Sequence, residues 1–206
     1  SPDYSSELSE YLNTCSRIIY DLDADRIALI ADRLDQCIAQ GYTILVAGNG
    51  GSHCTALHLA TDLEKCLCAA LPPRQRIFPN VPRVRVLGEN ASISTAWSND
   101  DEFVNALAWQ VQAWGEPGSV LVLLSASGKS PNLLAAAAAA QARGVEVVAL
   151  VGCAGSRLAA VADLSLAVGT DDTQIAEDAH MVIAHSLFRE LLRRILQQSD
   201  DTSPRR

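Results

Sequence analysis

The chain contains four histidines, in two pairs: His53 with His58, and His180 with His185. The first pair directly follows a Gly48-Asn-Gly-Gly-Ser52 turn. The second lies in a long run of helical periodicity, close to Glu177 and Asp178. On a helix His58 and Asp62 are i and i+4 and share a face, whereas His53 falls on a different one. Asp178 stands seven residues before His185 and nearly in line with it. Glu177 is about 80° away by the 3.6-residue period. Spacing does not choose between the two acids. An imidazole beside a carboxylate on each of two helices could hold a divalent metal, or supply an acid and a base. The competing reading is solvated or locally paired side chains.

A second chemistry resides in Ser125-Ala-Ser-Gly-Lys-Ser130. Three hydroxyls, exposed backbone N–H groups and a following helix N-terminus can hold an anion. The spacing does not fit a Walker A loop. The turn at Gly48–Ser52 matches a dinucleotide fingerprint only loosely, because neither position 53 nor Cys54 is a Gly. The cysteines at 15, 37, 54, 66, 68 and 153 are scattered, and they read as reduced thiols of a cytoplasmic protein. Cys66-Leu-Cys68 has the wrong spacing for a metal or redox pair.

These groups need elements to position them. Leu8, Leu12, Cys15, Ile18 and Ile19 predict one helix, and Ile27, Ile30, Leu34 and Ile38 a second, with Asp23 as N-cap and Gly41 as stop. The first helix has no strand before it, and is expected to pack on its counterpart in another subunit. Strands are predicted at Thr43–Ala47, Arg83–Leu87, Ser119–Leu124, Val145–Val151 and Leu164–Val168. Helices are predicted from Ser52 to about Leu67, at Asn90–Trp97, Phe103–Trp114, Pro131–Ala142 and Ser156–Ala162, and from about Thr173 to Gln197. A loop carries Pro72, Pro73, Pro79 and Pro82. Strands alternating with helices imply a parallel sheet covered on both faces, with ligands beyond the carboxyl ends of the strands. Residues 1–40 are read as N-terminal helices of the same domain, 41–198 as the α/β domain and 199–206 as a disordered tail.

The 206 residues include 49% hydrophobic and 19% charged, which excludes a disordered chain or coiled coil. Sixteen basic against 24 acidic residues give a net charge of −8, a poor balance for binding nucleic acid. No apolar run is long enough for a membrane helix. No secretory signal is read, and Ser1-Pro-Asp-Tyr4, lacking Met, suggests a processed start.

Four stretches together resemble the phosphoheptose isomerases of the sugar isomerase (SIS) superfamily. They are Gly48-Asn-Gly-Gly-Ser-His-Cys-Thr-Ala-Leu-His58 with Asp62, Thr95-Ala-Trp-Ser-Asn99-Asp100, Ser125-Ala-Ser127-Gly-Lys-Ser130-Pro-Asn, and Ile175-Ala-Glu177-Asp-Ala-His180 with His185. Order and spacing hold from about residue 5 to 197. The resemblance implies a three-layer α/β/α sandwich on a five-stranded parallel sheet, with an N-terminal helical extension. It implies a homotetramer with active sites between subunits. Asn49, Gly50, Gly51 and Ser52 would line a sugar phosphate, Ser125, Ala126, Ser127 and Ser130 would hold its phosphate, and Asn99, Asp100 and Glu177 would contact the substrate. His58, Asp62, Glu177 and His185 fall on positions that bind Zn²⁺ in members that carry it. Asp62 and His185 fall on the acid/base pair of a ketose–aldose isomerase working through an enediol.

The pattern also departs from the family. Asp62 stands where Glu is usual, Glu177 where Gln is usual, Lys129 for Asn and Ala126 for Thr. A carboxylate one methylene shorter sits further from a reacting carbon. Glu177 adds a charge suited to a divalent cation. A reshaped pocket raises the alternative of an octulose or other unusual sugar phosphate in an antibiotic sugar pathway. Two further alternatives are a non-catalytic SIS tetramer that regulates a protein partner, and an isomerase of pentose or hexose phosphates.

Overall fold

The computed structural model describes residues 4–73, 76 and 81–201. Pro79, residues 1–3 and residues 202–206 of the expected tail lie outside the described residues. The chain begins with α1 (Tyr4–Tyr20) and α2 (Ala24–Ala39), and Asp23 caps α2 by accepting from the Arg26 N–H at 2.9 Å. Five strands follow with helices between them: β1 (Thr43–Gly48), β2 (Arg83–Val86), β3 (Val120–Ser125), β4 (Glu146–Val151) and β5 (Leu164–Ala167). They form one parallel sheet in the order β2-β1-β3-β4-β5. Six further α-helices are α3 (Gly51–Thr61), α4 (Leu67–Ala70), α5 (Ala91–Asp100), α6 (Ala106–Trp114), α7 (Pro131–Ala142) and α8 (Arg157–Val161). The last element, α9, runs Thr173–Asp201, past the end expected at Gln197, so the expected tail begins as helix.

Every residue of β1 and β3 is buried, as central parallel strands require. Their alternation splits the interior into two cores. Ile44, Val46, Val122, Leu124 and Leu150 point to one face, covered by α2, α3 and α9. Leu45, Ala47, Leu121, Leu123 and Ala149 point to the other, covered by α6, α7 and α8. The Ala-rich α7 fits the second face because Ala136, Ala137 and Ala140 bring its backbone close to the sheet. The first helix packs against α9 of its own chain, while Leu8, Leu12 and Tyr20 stay exposed. The sandwich and its sheet are as the sequence predicts. Most boundaries shift by a residue or two, but α5 runs to Asp100 rather than Trp97, the helical run after β1 continues to Ala70 rather than Leu67, and Phe103–Asn105 forms a 3₁₀ turn before α6.

The larger departure is at Asp62–Cys66. A plain α-helix is predicted there, but the chain forms a π-helical turn in which the Leu67 N–H donates to the Asp62 carbonyl. Such turns insert one extra residue into the helical ladder and recur at functional sites.

Leu187 of α9 is fully buried in the first core. Leu187→Ala is expected to lower the unfolding free energy by about 2–5 kcal/mol, read as a reduced midpoint in urea denaturation.

Candidate active site

The strand order reverses between β1 and β3, since the chain passes from β1 out to β2 and returns to add β3 on the other side. The crevice at that switch point is where ligands of open α/β sheets sit. A pocket of about 190 Å³ occupies it, lined by Asn49, Ser52, Ser125, Ala126, Ser127, Ser130, Thr173 and Glu177 among others. The first turns of α3, α7 and α9 all reach it, so three helix N-termini present N–H groups and positive dipole ends to one space. Gly128 has φ +61°, and a Cβ there would lie 2.3 Å from Ser156 Oγ, so only glycine fits the middle of the serine loop. Ser125 Oγ accepts from the Gly128 N–H at 3.0 Å and Ser127 Oγ from the Lys129 N–H at 3.2 Å, which fixes the loop. Ser130 is the N-cap of α7, yet its hydroxyl makes no capping bond.

Asn49 and Asn132 exchange two amide hydrogen bonds, at 2.9 and 2.8 Å. This pair ties the turn after β1 to the first turn of α7. Spacing along the chain assigns Asn132 no role, since nothing in one dimension signals a bond across 83 residues.

A second cluster forms where the C-terminal part of α3 meets α9. His58 Nε2 lies 3.0 Å from His185 Nε2, 3.4 Å from Asp62 Oδ2, and Asp62 Oδ2 lies 4.0 Å from His185 Nε2. Two ring nitrogens this close cannot both carry a proton, so one presents its lone pair to the other. The side chains of His58 and His185 are 47% and 49% exposed and that of Asp62 16%, so the carboxylate is held while both rings face solvent. Asp62 Oδ1 accepts from the Cys66 thiol at 3.9 Å, a contact made within the π-turn. The donor atoms of His58, Asp62 and His185 all lie within 4.8 Å of one another, so the three could hold a metal ion. Imidazole and carboxylate suit Zn²⁺.

The expected site residues therefore separate into groups. Glu177 is outside the His–Asp–His cluster and lines the serine pocket instead. It and His185 are eight positions apart on one helix, a rise of about 12 Å. Its carboxylate fills the space over Gly51, where a Cβ would lie 2.2 Å from Oε2. Gly50 lies at the N-terminus of α3 with φ +54°. Asn99 and Asp100 are exposed at the end of α5, bonded to each other at 2.8 Å, and do not line the serine pocket. Asp178 turns away to α1, where it accepts from the Tyr11 hydroxyl and lies 3.8 Å from Cys15 Sγ. The bond to Asp178 raises the Tyr11 pKa.

His180 is fully buried beside the end of β4, the strand paired with the serine-bearing β3. Neither ring nitrogen has a hydrogen bond of normal geometry among the described residues. Burial pushes its pKa down to about 4, and the Val151 backbone pulls partly back.

Comparison with known proteins bears on the whole arrangement. Residues 8–152 match the model of the SIS domain family. The chain is 34% identical over 168 residues to the phosphoheptose isomerase of Nitratidesulfovibrio vulgaris, spanning 82% of this chain and 77% of that one. It is 37% identical over 164 residues to that of Rhodospirillum rubrum, spanning 80% and 83%. The solved structure of a phosphoheptose isomerase from Francisella tularensis is similar with a TM-score of 0.81 at 26% identity, covering 92% of this chain and 96% of that one.

The depressed His180 pKa sets a direction for pH dependence. Between about 4 and the ordinary 6.5 the unfolded state binds a proton that the folded state refuses. This contribution is fully present above 6.5 and is lost as pH falls towards 4. His180→Leu is expected to flatten the fall in stability between pH 7 and pH 4.5, measured by urea denaturation at each pH.

Proposed function

Because the chain belongs to the SIS-domain family and, within it, to the phosphoheptose isomerases, we propose that this sugar-phosphate isomerase converts sedoheptulose 7-phosphate to the aldose phosphate through an enediol. The observation that carries the reading is the convergence of His58, Asp62 and His185 within reach of a serine-lined anion pocket. Ser52 lies in the pocket and His58 six positions on along the same helix, a rise of about 9 Å. That separation suits a phosphate at one end of an extended seven-carbon chain and C1–C2 at the other.

In this reading the hydroxyls of Ser125, Ser127 and Ser130 and the helix N-termini bind the phosphate, with Asn49, Gly50, Gly51 and Ser52 along the sugar. Asp62 removes a proton from C1 of the open ketose, giving the enediol, and returns it to C2. His185 carries a proton between the two oxygens, giving one to O2 as O1 releases one. Asp62 is favoured over Asp178 because the Tyr11 hydroxyl of α1 engages the latter, and over Glu177 because that carboxylate lines the serine pocket. The side chains that would hold Zn²⁺ are His58, Asp62 and His185. The chemistry such an ion supplies when bound is Lewis-acid polarisation of the substrate oxygens.

Asn99, Asp100 and Glu177 are assigned to the sugar by the family pattern. A homotetramer with sites between subunits is supported by the exposed Leu8, Leu12 and Tyr20 on α1 and by the half-exposed histidines. The free thiols favour a reducing, cytoplasmic setting. No helix of the described residues is long and apolar enough to cross a membrane.

Asp62→Asn and His185→Ala are each expected to lose about 10²–10⁴-fold in isomerisation, and with it deuterium entry from D₂O into the sugar, while keeping the native circular dichroism. Wild-type exchange in either variant would remove that residue from the mechanism. Direct titration with Zn²⁺ should give tight binding to the wild type and loss of it in His58→Ala; equal affinities would remove the metal from the reading.

A further inference from the structure

Asn49 lines the serine pocket and is exposed, whereas its amide partner Asn132 is buried and does not line that pocket. An exposed Asn amide ordinarily turns about its last torsion at little cost. Here it is closed into a ring: Asn49 Nδ2 donates to Asn132 Oδ1 at 2.9 Å, and Asn49 Oδ1 accepts from Asn132 Nδ2 at 2.8 Å. The sense of the ring is set from α7. The Leu133 N–H donates to Asn132 Oδ1 at 3.1 Å. That bond decides which atom of Asn132 is the oxygen and, through it, which atom of Asn49 is the nitrogen. An amide has two N–H donors and two lone pairs on its oxygen. The ring uses one of each on Asn49 and leaves one N–H and one lone pair in fixed directions. A hydroxyl, which both donates and accepts, matches such an edge.

We propose that Asn132 is a positioning residue for the isomerase, holding the Asn49 amide in the orientation that receives a substrate hydroxyl. The inference rests on the reading of the serine pocket as the sugar-phosphate site. The two asparagines belong to the two segments that build that pocket. Asn49 directly follows β1, whose Gly48 pairs with Leu124 of β3, and Asn132 is the second residue of α7, into which the serine loop runs. Asn132 touches no ligand in this arrangement. It orders an exposed side chain in advance, so that binding does not have to order it. Its effect falls on the sugar, because in this reading the phosphate is held by the serine hydroxyls and the helix N-termini.

The test compares the wild type, Asn132→Leu and Asn132→Asp. Calorimetry gives Kd for inorganic phosphate and for the seven-carbon alditol phosphate, which binds without reacting, and kcat and KM are measured with sedoheptulose 7-phosphate. Leu has the same branched shape without the polar atoms, and the Leu133 N–H keeps its second acceptor, the Ser130 carbonyl at 3.1 Å. Asn132→Leu is expected to weaken the alditol phosphate relative to inorganic phosphate about tenfold, the worth of roughly one hydrogen bond. KM should rise with kcat kept within about threefold, the signature of lost uniform binding. Asn132→Asp keeps the oxygen that accepts from Asn49 and Leu133. Its added charge weakens both ligands and cancels in their ratio, which should lie between those of the wild type and Asn132→Leu. A merely structural role would lower the urea midpoint and leave the ratio at its wild-type value; that result in both variants overturns the proposal. If Asn132→Leu does not fold, a wild-type ratio in Asn132→Asp alone overturns it. A wild type that binds the alditol phosphate but turns over no ketose removes the isomerase reading, and the Kd ratios still decide the role of Asn132. A wild type that binds neither ligand overturns both.

Discussion

The close approach of α3 to α9 governs this molecule. At one end Gly51 has no side chain because the Glu177 carboxylate occupies the space. At the other, His58 and His185 meet at 3.0 Å. Between these contacts the two helices share the first core, with Ala56, Leu59 and Ala60 facing Ala176, Ala179 and Ile183. A side chain at Gly51 would first displace the Glu177 carboxylate, the far end of a flexible side chain, from its place over α3. The π-turn completes the arrangement. It follows α3 directly, and within it the Cys66 thiol meets Asp62 Oδ1 while Oδ2 faces the rings.

Among the described residues no basic side chain lines the serine pocket, in a chain of net charge −8. In the proposed reading, its attraction for phosphate comes from backbone N–H groups, hydroxyls and helix ends. Glu177 opposes this by bringing a carboxylate to the same space. Lys129 is exposed at the rim of the loop and supplies a positive charge from outside.

The His–Asp–His cluster contributes little to stability. Exposed ion pairs are worth roughly 0–1 kcal/mol, and the two rings that make these contacts are about half exposed. Stability comes from the two cores on either side of the sheet. This division leaves two half-exposed imidazoles and a mostly buried carboxylate between two packed helices. His180 is the opposite case: it is fully buried, poorly partnered and kept neutral by the packing around it.

The layers of the fold were legible in the sequence because burial on both faces leaves a direct mark. Val120–Leu124 and Val145–Val151 read as buried strands, and the small-residue turns after the first and third strands fall at the sheet edge where ligands of such folds sit. The pairing of His58 with Asp62 was legible too, because both lie on one helix at a fixed spacing. Other features depend on distance across the chain. Asn49 and Asn132, and Tyr11 and Asp178, are brought together only by the crossovers of the sheet. Nothing in Asp62-Leu-Glu-Lys-Cys66 marks a π-turn, since that choice is made by how α3 must lie against α9. The choice among Asp62, Glu177 and Asp178 was likewise open in one dimension. The sequence by itself determined which residues have the chemistry and which elements carry them, because local spacing and burial are written along the chain. Only the tertiary structure decided which of them meet, because that depends on the packing distance and angle of helices far apart in sequence.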